Sequence, residues 1–308
     1  MNGPYLGKRY HTLDYFFKNK FGCKISKISL SGPFTCPNRD GTKGTGGCIY
    51  CSSALSGDFA GNPSDSVKRQ FEEIRTMMSK KWKDTRYMAY FQTGTGTYAP
   101  VDKLRSLYNA ALDCEDVVAL SIATRPDCIR GECYSLLEEI SKRTYLTVEL
   151  GLQTIHDKTG ALINRQSTYG DFLTAFHTLK NLGIDVCVHL INGLPGEDIS
   201  MMNESVMAVS DLLPWSVKLH LLHVIKGTVC EKMYLEGAFK TFEMDEYVNL
   251  ICNQLELLDK RIVVQRLTGD GKRSELVSPL WSIKKFEVLN AIDHEMQRRN
   301  SYQGLRSH

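Results

Sequence analysis

Hydrophobic residues follow two alternating patterns between about Ile25 and Leu222. Short runs rich in β-branched residues alternate with longer segments whose apolar residues recur at helical spacing. The short runs are SKISLS, YMAYFQT, VVALSIAT, LTVELGL, DVCVHLING and SVKLHLL, and the helical segments are DSVKRQFEEIRTMMSKKW, VDKLRSLYNAALDC, CYSLLEEISKR, TYGDFLTAFHTLKNLG and SMMNESVMAVSDLL. Six strands alternating with helices predict βαβ units and a parallel sheet, as in a (β/α) barrel or an open α/β fold.

The pattern changes after about Val224. The segment from KGTVCEK to LELLDK predicts a turn and then one helix, and the remainder predicts a strand, a Gly-rich loop and a final amphipathic helix. We expect this tail to pack against the main unit rather than to fold alone. The predicted organisation is a basic N-terminal segment (1–24), a core (25–224) and a small α+β extension (225–308).

Composition and charge narrow the class of protein only a little. No stretch resembles a secretory signal or reaches transmembrane length, so we expect a soluble cytoplasmic protein. From Lys260 to His308 there are ten Lys and Arg against five Asp and Glu, whereas the rest of the chain has 28 against 30. The positive charge is therefore concentrated at the C-terminal end, which suits either a polyanionic partner or a solvated surface.

Glycine-rich and polar motifs recur where the predicted strands end. They are the cysteine loop after the first strand, TGTGTY after the second, TRPD after the third, GLQT after the fourth and NGLPGE after the fifth. Ordinary turn chemistry accounts for any one of them. Because the carboxyl ends of parallel strands form the ligand-binding face of barrels and open α/β sheets, all five together predict a site there.

Three cysteines in the first of these loops have ligand spacing. Cys36, Cys48 and Cys51 lie in TCPNRDGTKGTGGCIYC as C-x11-C-x2-C, and the other seven cysteines are scattered. Thiolates this close together are suited to a metal or an iron–sulfur cluster. A structural zinc site would require a fourth ligand, such as His11, His156, His189, His220 or His223, and zinc half-sites usually pair with a second tight pair, which is absent. A cluster with one open iron fits this pattern best.

The longer motifs resemble a known family. CPNRDGTKGTGGCIYC, SGDFAG, YFQTGTGTYAP, IATRPDCI, VELGLQT, HLINGLPGE and KLHLLHVIKGT together resemble radical S-adenosylmethionine proteins of the YhcC/YtqA type. The chain is more distantly similar to the elongator catalytic subunit and to coproporphyrinogen dehydrogenases. The resemblance covers nearly the whole chain and implies a partial (β/α)6 TIM-like barrel, a [4Fe–4S] cluster and S-adenosylmethionine as cofactors, and a 5′-deoxyadenosyl radical that abstracts hydrogen from a substrate.

The resemblance also assigns roles to individual residues. It implies that Cys36, Cys48 and Cys51 ligate three irons, and that the amino and carboxylate groups of S-adenosylmethionine chelate the fourth. The remaining cofactor contacts that it implies, or that strand alternation suggests, are Tyr50 beside the adenine, Thr95, Gly96 and Thr97 at the amino group, Arg125 at the carboxylate, and Glu149, Gln153 and His189 in the barrel. The acidic residue that often ends the Gly-rich element of the family is missing here.

Relatives of the elongator type act on tRNA, which makes tRNA the expected substrate. The implied reaction trims the carboxymethylaminomethyl group of a wobble uridine towards aminomethyl. The residues expected to contact the nucleic acid are Arg261, Arg266, Lys272, Arg273, Trp281, Lys284 and Lys285. A reductase such as flavodoxin or ferredoxin would supply the electron. Two alternatives stay open: a radical enzyme acting on a small molecule such as a tetrapyrrole, and a zinc-stabilised nucleic-acid-binding module.

Overall fold

A curled parallel sheet forms the centre of the protein in the computed structural model, which describes residues 4–52, 60–80, 85–269 and 271–307. Its seven strands lie in the order β1-β2-β3-β4-β5-β6-β8. The strands are β1 (Lys24–Leu30), β2 (Thr85–Phe91), β3 (Val117–Thr124), β4 (Tyr145–Gln153), β5 (Asp185–Asn192), β6 (Ser216–Leu221) and β8 (Val263–Arg266). A separate antiparallel pair joins β7 (Val224–Ile225) to β9 (Leu276–Ser278).

Helices connect the strands and cover the outer face of the sheet. They are α1 (Leu13–Phe21), α2 (Val67–Ser79), α3 (Val101–Leu112), α4 (Glu132–Ser141), α5 (Asp157–Leu162), α6 (Tyr169–Asn181), α7 (Ile199–Leu212), α8 (Val229–Leu235), α9 (Met244–Leu257) and α10 (Lys285–Arg298), with 3-10 turns at Pro126–Cys128 and Leu280–Ile283. Several begin at side chains that cap them: Thr168 and Asp171 form a capping box on α6, and Asp198 accepts a hydrogen bond from Met201 on α7.

The two faces of each strand differ in polarity, as the sequence alternation of β4 illustrates. Leu146, Val148, Leu150 and Leu152 are buried in the main core under the helices. Glu149 and Gln153 alternate with them and face the interior of the curled sheet, because successive side chains of a strand point to opposite faces. The sheet therefore has an apolar outer face and a polar concave face, which we call the lumen.

Helix α1 closes the lower end of the lumen. Phe17 of this helix is 1% exposed and packs with Ile25, Met88 and Ala119, which come from the amino-terminal halves of three strands. Thr12 caps the start of the helix, and Gly22 ends it at φ 71°, a left-handed conformation that glycine adopts readily. The segment 1–24 thus includes an apolar plug as well as the basic residues noted in the sequence.

The C-terminal third differs from the sequence prediction in two respects. The predicted single helix after Val224 is two helices, α8 and α9, because Gly237 at φ 75° follows Leu235 and ends the first. The predicted tail strand is β8, and it joins the main sheet beside β6 instead of packing on it from outside. The prediction of six parallel strands was therefore one strand short, and the structure is an α/β half-barrel of seven strands.

Among the described residues, no helix combines the length and the apolar character needed to cross a bilayer. The SGDFAG motif lies largely outside the described residues, since 53–59 are not described.

Candidate functional site

A cavity of about 680 Å³ runs from the cysteine loop into the lumen. Every strand of the parallel sheet contributes to its wall. The contributing side chains include Ser29 of β1, Tyr90 of β2, Ala123 of β3, Glu149 of β4, His189 of β5, Lys218 of β6 and Arg266 of β8. Its volume is that of a small-molecule or cofactor site. The cavity lies at the carboxyl ends of the strands, where the sequence motifs predict it.

The three predicted ligand cysteines face this cavity together. Cys36, Cys48 and Cys51 all line it, and all are free thiols. The loop that presents them is held by neighbouring side chains: Nη2 of Arg39 donates to the carbonyls of Cys51 at 2.7 Å and Ser52 at 2.6 Å. The Asn38 amide donates to the Asn164 carbonyl and lies 3.8 Å from Sγ of Cys48. The loop geometry is therefore fixed by the protein chain.

The surroundings of these thiols suit cluster ligation. Burial raises the pKa of Cys48, and it raises the pKa of Cys51 to about 11, while Arg125 and Arg39 respectively oppose these increases. Buried thiols of raised pKa are inert until a metal takes the place of the proton. The three thiols on one cavity wall, with two guanidinium groups nearby, fit an iron–sulfur cluster that leaves one iron open to a ligand in the cavity.

Tyr50 lies between two of these cysteines in the chain and lines the same cavity. Burial raises the pKa of its hydroxyl well above the usual value, and the hydroxyl lies in hydrogen-bonding contact with Cys48. Its ring packs against the apolar cluster that contains Ile49 and Leu194. Tyr50 is therefore placed where an aromatic contact with a cofactor is feasible.

The residues of the turn after β2 have two roles: some line the cavity, and others stabilise the turn. Thr95 lines the cavity together with Gly94. A Cβ on Gly96 would lie 2.7 Å from the carbonyl oxygen of Ala123, which explains why glycine occupies that position. The hydroxyl of Thr97 lies 2.6 Å from that of Thr124 and donates to the Cys128 carbonyl, so Thr97 stabilises the turn itself.

Arg125 lines the cavity but is already paired within the chain. Its Nε and Nη2 each lie 3.0 Å from a carboxylate oxygen of Asp127, and its Nη1 donates to the Arg165 carbonyl at 2.8 Å. Although burial opposes charge on both groups, the ion pair raises the pKa of Arg125 and lowers that of Asp127. Arg125 thus contributes positive charge near Cys36 and Cys48. The Nε and Nη2 atoms, with which it would bind a carboxylate in a bidentate manner, already contact Asp127.

Gln153 ends β4 in a strained conformation. Its φ is 64°, which is unusual for a residue with a side chain, and the β4–β5 register shifts between Gly151 and Gln153. In the side-chain orientation that its neighbours favour, the amide nitrogen of Gln153 donates to the carbonyls of Leu152 at 3.0 Å and Gly151 at 3.1 Å. Bulges and left-handed residues of this kind are concentrated at functional sites.

Glu149 is the centre of a buried polar network in the lumen. Five donors contact its carboxylate: Lys27 Nζ at 2.6 Å, Tyr90 OH at 2.8 Å, His189 Nε2 at 2.8 Å, Ser121 Oγ at 2.9 Å and Lys218 Nζ. Against the opposing effect of burial, Lys218 and Lys27 hold the pKa of Glu149 well below its usual value. His189 serves here as a partner of Glu149, and burial lowers the pKa of His189 to about 4.

Glu149, Cys187 and His189 also place three possible metal-ligand atoms within 4.8 Å of one another. The carboxylate of this group already accepts hydrogen bonds from two lysines, and burial raises the pKa of Cys187 to about 12. A protonated thiol and a saturated carboxylate are poor ligands. The group is therefore an ion-pair network.

The fifth strand-end motif and several residues outside the motifs differ from expectation. Leu194 of NGLPGE packs in an apolar cluster with Ile49, and Asn192 exchanges hydrogen bonds with Gln254 of α9, so this motif supports the cysteine loop. Sequence reasoning did not assign the cavity residues Tyr90, Gln92, Arg165 and Lys218, and it considered His220 only as a possible zinc ligand. The one available signal was strand alternation, which places Lys218 and His220 on the same face of β6.

Arg165 is the largest of the unassigned residues and is 2% exposed. Its guanidinium donates to the carbonyls of Leu152, Thr154 and Ser167 and lies 3.1 Å from Asp157. These contacts join the end of β4 to the loop after α5. Arg165 therefore holds the segment that carries Gln153 and also adds charge to the cavity wall.

The seven basic and aromatic residues proposed for nucleic-acid contact do not form one surface. Arg266 and Lys272 line the cavity. Arg261 is exposed and pairs with Asp259 at 2.7 Å, Lys284 pairs with Glu287 at 3.0 Å, and Arg273 is exposed. The local positive charge is consequently smaller than the count of basic residues implies.

Trp281 is held by the fold rather than presented as an open stacking surface. Its Nε1 donates to the Phe242 carbonyl at 2.9 Å, and its ring centroid lies 5.7 Å from that of Tyr247. Lys285, which follows the 3-10 turn, is half-buried. Phe286, which follows Lys285, is 77% exposed.

Two protein-family models together match most of the chain. The model of the radical SAM superfamily matches residues 39–209, and that of the radical SAM C-terminal domain matches residues 214–298. The chain is 49% identical to the uncharacterized protein YtqA of Bacillus subtilis over 297 residues, which is 96% of this chain and 92% of YtqA. It is 34% identical to YhcC of Escherichia coli over 275 residues, covering 89% of this chain and 88% of YhcC.

Two further proteins share part of the chain or its fold. A tRNA uridine(34) acetyltransferase of Methanocaldococcus infernus is 32% identical over 186 residues, covering 59% of this chain and 34% of that protein. The solved structure of Methanocaldococcus infernus Elp3 superposes with a TM-score of 0.68 at 18% identity, covering 92% of this chain and 64% of that one. The superfamily match extends over more than half of the chain and includes two of the three loop cysteines, Cys48 and Cys51, while Cys36 lies three residues before it. The chain therefore belongs to the radical S-adenosylmethionine superfamily, whose members use a [4Fe–4S] cluster and S-adenosylmethionine.

Proposed function

We propose that this radical S-adenosylmethionine enzyme modifies a wobble uridine of tRNA, trimming its carboxymethylaminomethyl group towards aminomethyl. The observation that carries the proposal is the continuous cavity that joins Cys36, Cys48 and Cys51 to a positively charged lumen. The partial identity to a tRNA uridine(34) acetyltransferase supports the choice of substrate. The cluster and S-adenosylmethionine would supply the 5′-deoxyadenosyl radical, and the protein supplies binding and orientation.

In the proposed reaction the methylene carbon beside the carboxylate loses a hydrogen atom and then an electron, and water cleaves its bond to nitrogen. The amine stays on the uridine and the two carbons leave as glyoxylate, with S-adenosylmethionine as the two-electron oxidant that ends as methionine and 5′-deoxyadenosine.

The residues of the site have separate tasks in this proposal. Cys36, Cys48 and Cys51 hold the cluster, and Tyr50 and Gln153 line the part of the cavity nearest to it, where the cofactor binds. Thr95 contributes a polar contact from the β2 turn. The lumen below, closed by the apolar plug around Phe17, receives the reacting group of the substrate and shields it from solvent.

Contacts to the rest of the tRNA are assigned to the C-terminal extension. Arg266 and Lys272 lie on the cavity wall, where they attract a phosphate or the base that enters. Arg273, Lys284 and Lys285 are further basic side chains of the extension, and Phe286, which follows Lys285, is an exposed ring. Arg261 precedes β8 at the opposite end of the sheet, so it has no task in this proposal. A one-electron donor such as flavodoxin or ferredoxin completes the proposed cytoplasmic system.

The decisive experiment compares modified nucleosides in tRNA from cells that have the gene, lack it, or carry Cys36→Ala in its place. We expect carboxymethylaminomethyl-uridine to accumulate in the second and third strains, with loss of the aminomethyl product. An unchanged nucleoside profile would contradict the proposal and favour a small anionic substrate for the same cavity. Salt-sensitive binding of purified tRNA provides an independent check.

A further inference from the structure

The Glu149 carboxylate has more donors than it can satisfy. A carboxylate offers about four lone-pair sites, whereas five side chains direct donors at Glu149. Nζ of Lys27 contacts Oε1 of Glu149 and has a second partner in Oε1 of Gln265, 2.8 Å away. Nζ of Lys218 contacts Oε2 of Glu149 and lies 3.3 Å from the Tyr90 hydroxyl. Each ammonium has three N–H groups, so Lys218 retains donor capacity beyond these two contacts.

The same network has an excess of positive charge. Lys27 and Lys218 face a single carboxylate, and the side chain of Lys218 is 7% exposed. Burial lowers the pKa of Lys218 to about 8, and Glu149 opposes this effect. A buried excess charge is unfavourable unless an opposite charge reaches it. Lys218 lines the cavity, so a ligand in the cavity can provide that charge.

An independent observation points to the same place. The Nε2 atom of His220 is buried and has no hydrogen-bond partner among the described residues. His220 follows Lys218 by two positions on β6, lines the cavity, and has its ring centroid 5.2 Å from that of His189. Arg266 of β8 is the register partner of Lys218 and also lines the cavity. A cationic ammonium and an unsatisfied imidazole nitrogen therefore lie on one wall of the lumen.

We propose that Lys218 and His220 form a subsite that binds a carboxylate group of the substrate, with Glu149 as the positioning residue that holds Lys218 in place. The assignment rests on the proposed function and deepens it. The terminal carboxylate of a carboxymethylaminomethyl group would complete the charge balance of the lumen. The aminomethyl product has lost this carboxylate and carries a cationic amine, so the same lysine would repel it and favour its release.

Thermal unfolding of the full-length protein, reconstituted with its cluster under anaerobic conditions, tests the subsite directly. The probes are acetate, its uncharged isostere acetamide, and inorganic phosphate, compared at constant ionic strength. A ligand at about ten times its Kd should raise the Tm by about 2 °C. We expect this rise with acetate and not with acetamide.

Two variants and one control assign the effect to the subsite. Lys218→Met leaves Lys27 and Glu149 as a balanced pair, so it should fold and lose the acetate-dependent rise, and His220→Leu should reduce the rise. Lys142→Met removes an exposed lysine that pairs with Glu138 on α4 and should keep it in full. An equal rise with acetate and acetamide, a larger rise with phosphate, or a full acetate effect in Lys218→Met would each overturn the proposal.

The subsite and the tRNA proposal can fail separately. An acetate-specific effect together with an unchanged tRNA profile would retain the carboxylate subsite and assign it to a small carboxylate substrate. A changed tRNA profile without an acetate effect would retain the tRNA substrate and overturn the subsite.

Discussion

The ammonium of Lys27 on β1 lies 2.6 Å from Oε1 of Glu149 on β4, although β2 and β3 separate these strands in the sheet. Neighbouring strands of a sheet are about 4.8 Å apart, so a flat sheet would hold these backbones roughly 14 Å from each other. The contact therefore depends on the curl of the sheet. It joins opposite sides of the half-barrel across the lumen.

Removal of the Glu149 charge should destabilise the fold strongly. Glu149→Gln leaves Lys27 and Lys218 buried without their shared carboxylate, and breaking a buried ion pair in this way costs about 3–5 kcal/mol. Urea denaturation measures the free energy of unfolding. The control is Glu138→Gln on α4, an exposed pair with Lys142 whose loss should change stability by about 0.5 kcal/mol or less. Equal effects of the two variants would contradict the central role of Glu149.

The pH dependence of stability should reveal the buried His189. Its pKa is lowered to about 4, first by burial and then by Lys218, against an ordinary value of 6.5. Between pH 6.5 and 4 the unfolded chain binds a proton that the folded protein excludes. The free energy of unfolding should therefore fall with decreasing pH, by up to about 1.4 kcal/mol per pH unit from this group.

The variant His189→Gln isolates this contribution. Denaturation of wild type and variant at pH values from 7 to 4 should give a shallower slope for the variant. Parallel curves would show that His189 takes up its proton equally in the folded and unfolded states.

Cys36→Ala should remove the cluster and cofactor cleavage together. Each loop cysteine provides one of three thiolates, and the loss of one leaves too few ligands to hold the cluster. Iron and acid-labile sulfide analysis, visible absorbance and 5′-deoxyadenosine formation are the measurements. Cys23→Ala, a half-buried cysteine at the other end of the barrel, should retain all three signals. Cofactor cleavage that survives in Cys36→Ala would refute the ligand assignment.

Arg39→Lys should loosen the cysteine loop without removing a ligand. The guanidinium of Arg39 binds the carbonyls of Cys51 and Ser52 with one nitrogen, and a lysine has a different reach and geometry. We expect a severalfold faster loss of cluster absorbance on exposure to air. Arg86→Lys, at an exposed position of β2, is the matched control and should decay at the wild-type rate.

Gln153→Gly should separate stability from cofactor binding. Glycine adopts a φ of 64° without steric strain. This gain exceeds the cost of the greater conformational entropy of glycine in the unfolded chain, so the free energy of unfolding should rise by up to about 1 kcal/mol. The affinity for S-adenosylmethionine should nevertheless fall about tenfold if the side chain contacts the cofactor, as isothermal titration can measure. Asn300→Gly is the control. It relieves a similar φ of 49° at a position that does not line the cavity, and it should leave the affinity for S-adenosylmethionine unchanged. Unchanged affinity in Gln153→Gly would remove this residue from the cofactor site.

The alternating pattern of short apolar runs and helical segments was sufficient to predict the parallel sheet and the end at which the site lies. Both follow from local periodicity and from the direction that parallel strands share. The cysteine spacing was sufficient to predict a three-thiol site, since its ligands lie within 16 residues of one another. Strand alternation also indicated that Glu149 faces the interior.

Other features depend on contacts between distant parts of the chain, which local patterns do not record. The β8 strand joins the sheet because β6 has a free edge, although its sequence alone is equally compatible with an appendage. Arg125 lies in a motif that was expected to contact the cofactor, and it pairs with Asp127; Trp281 donates to the Phe242 carbonyl. The lumen network brings Lys27, Glu149 and Lys218 together from three strands up to 191 residues apart. Its charge balance depends on the closure of the sheet, because only the curl places these groups within hydrogen-bonding distance.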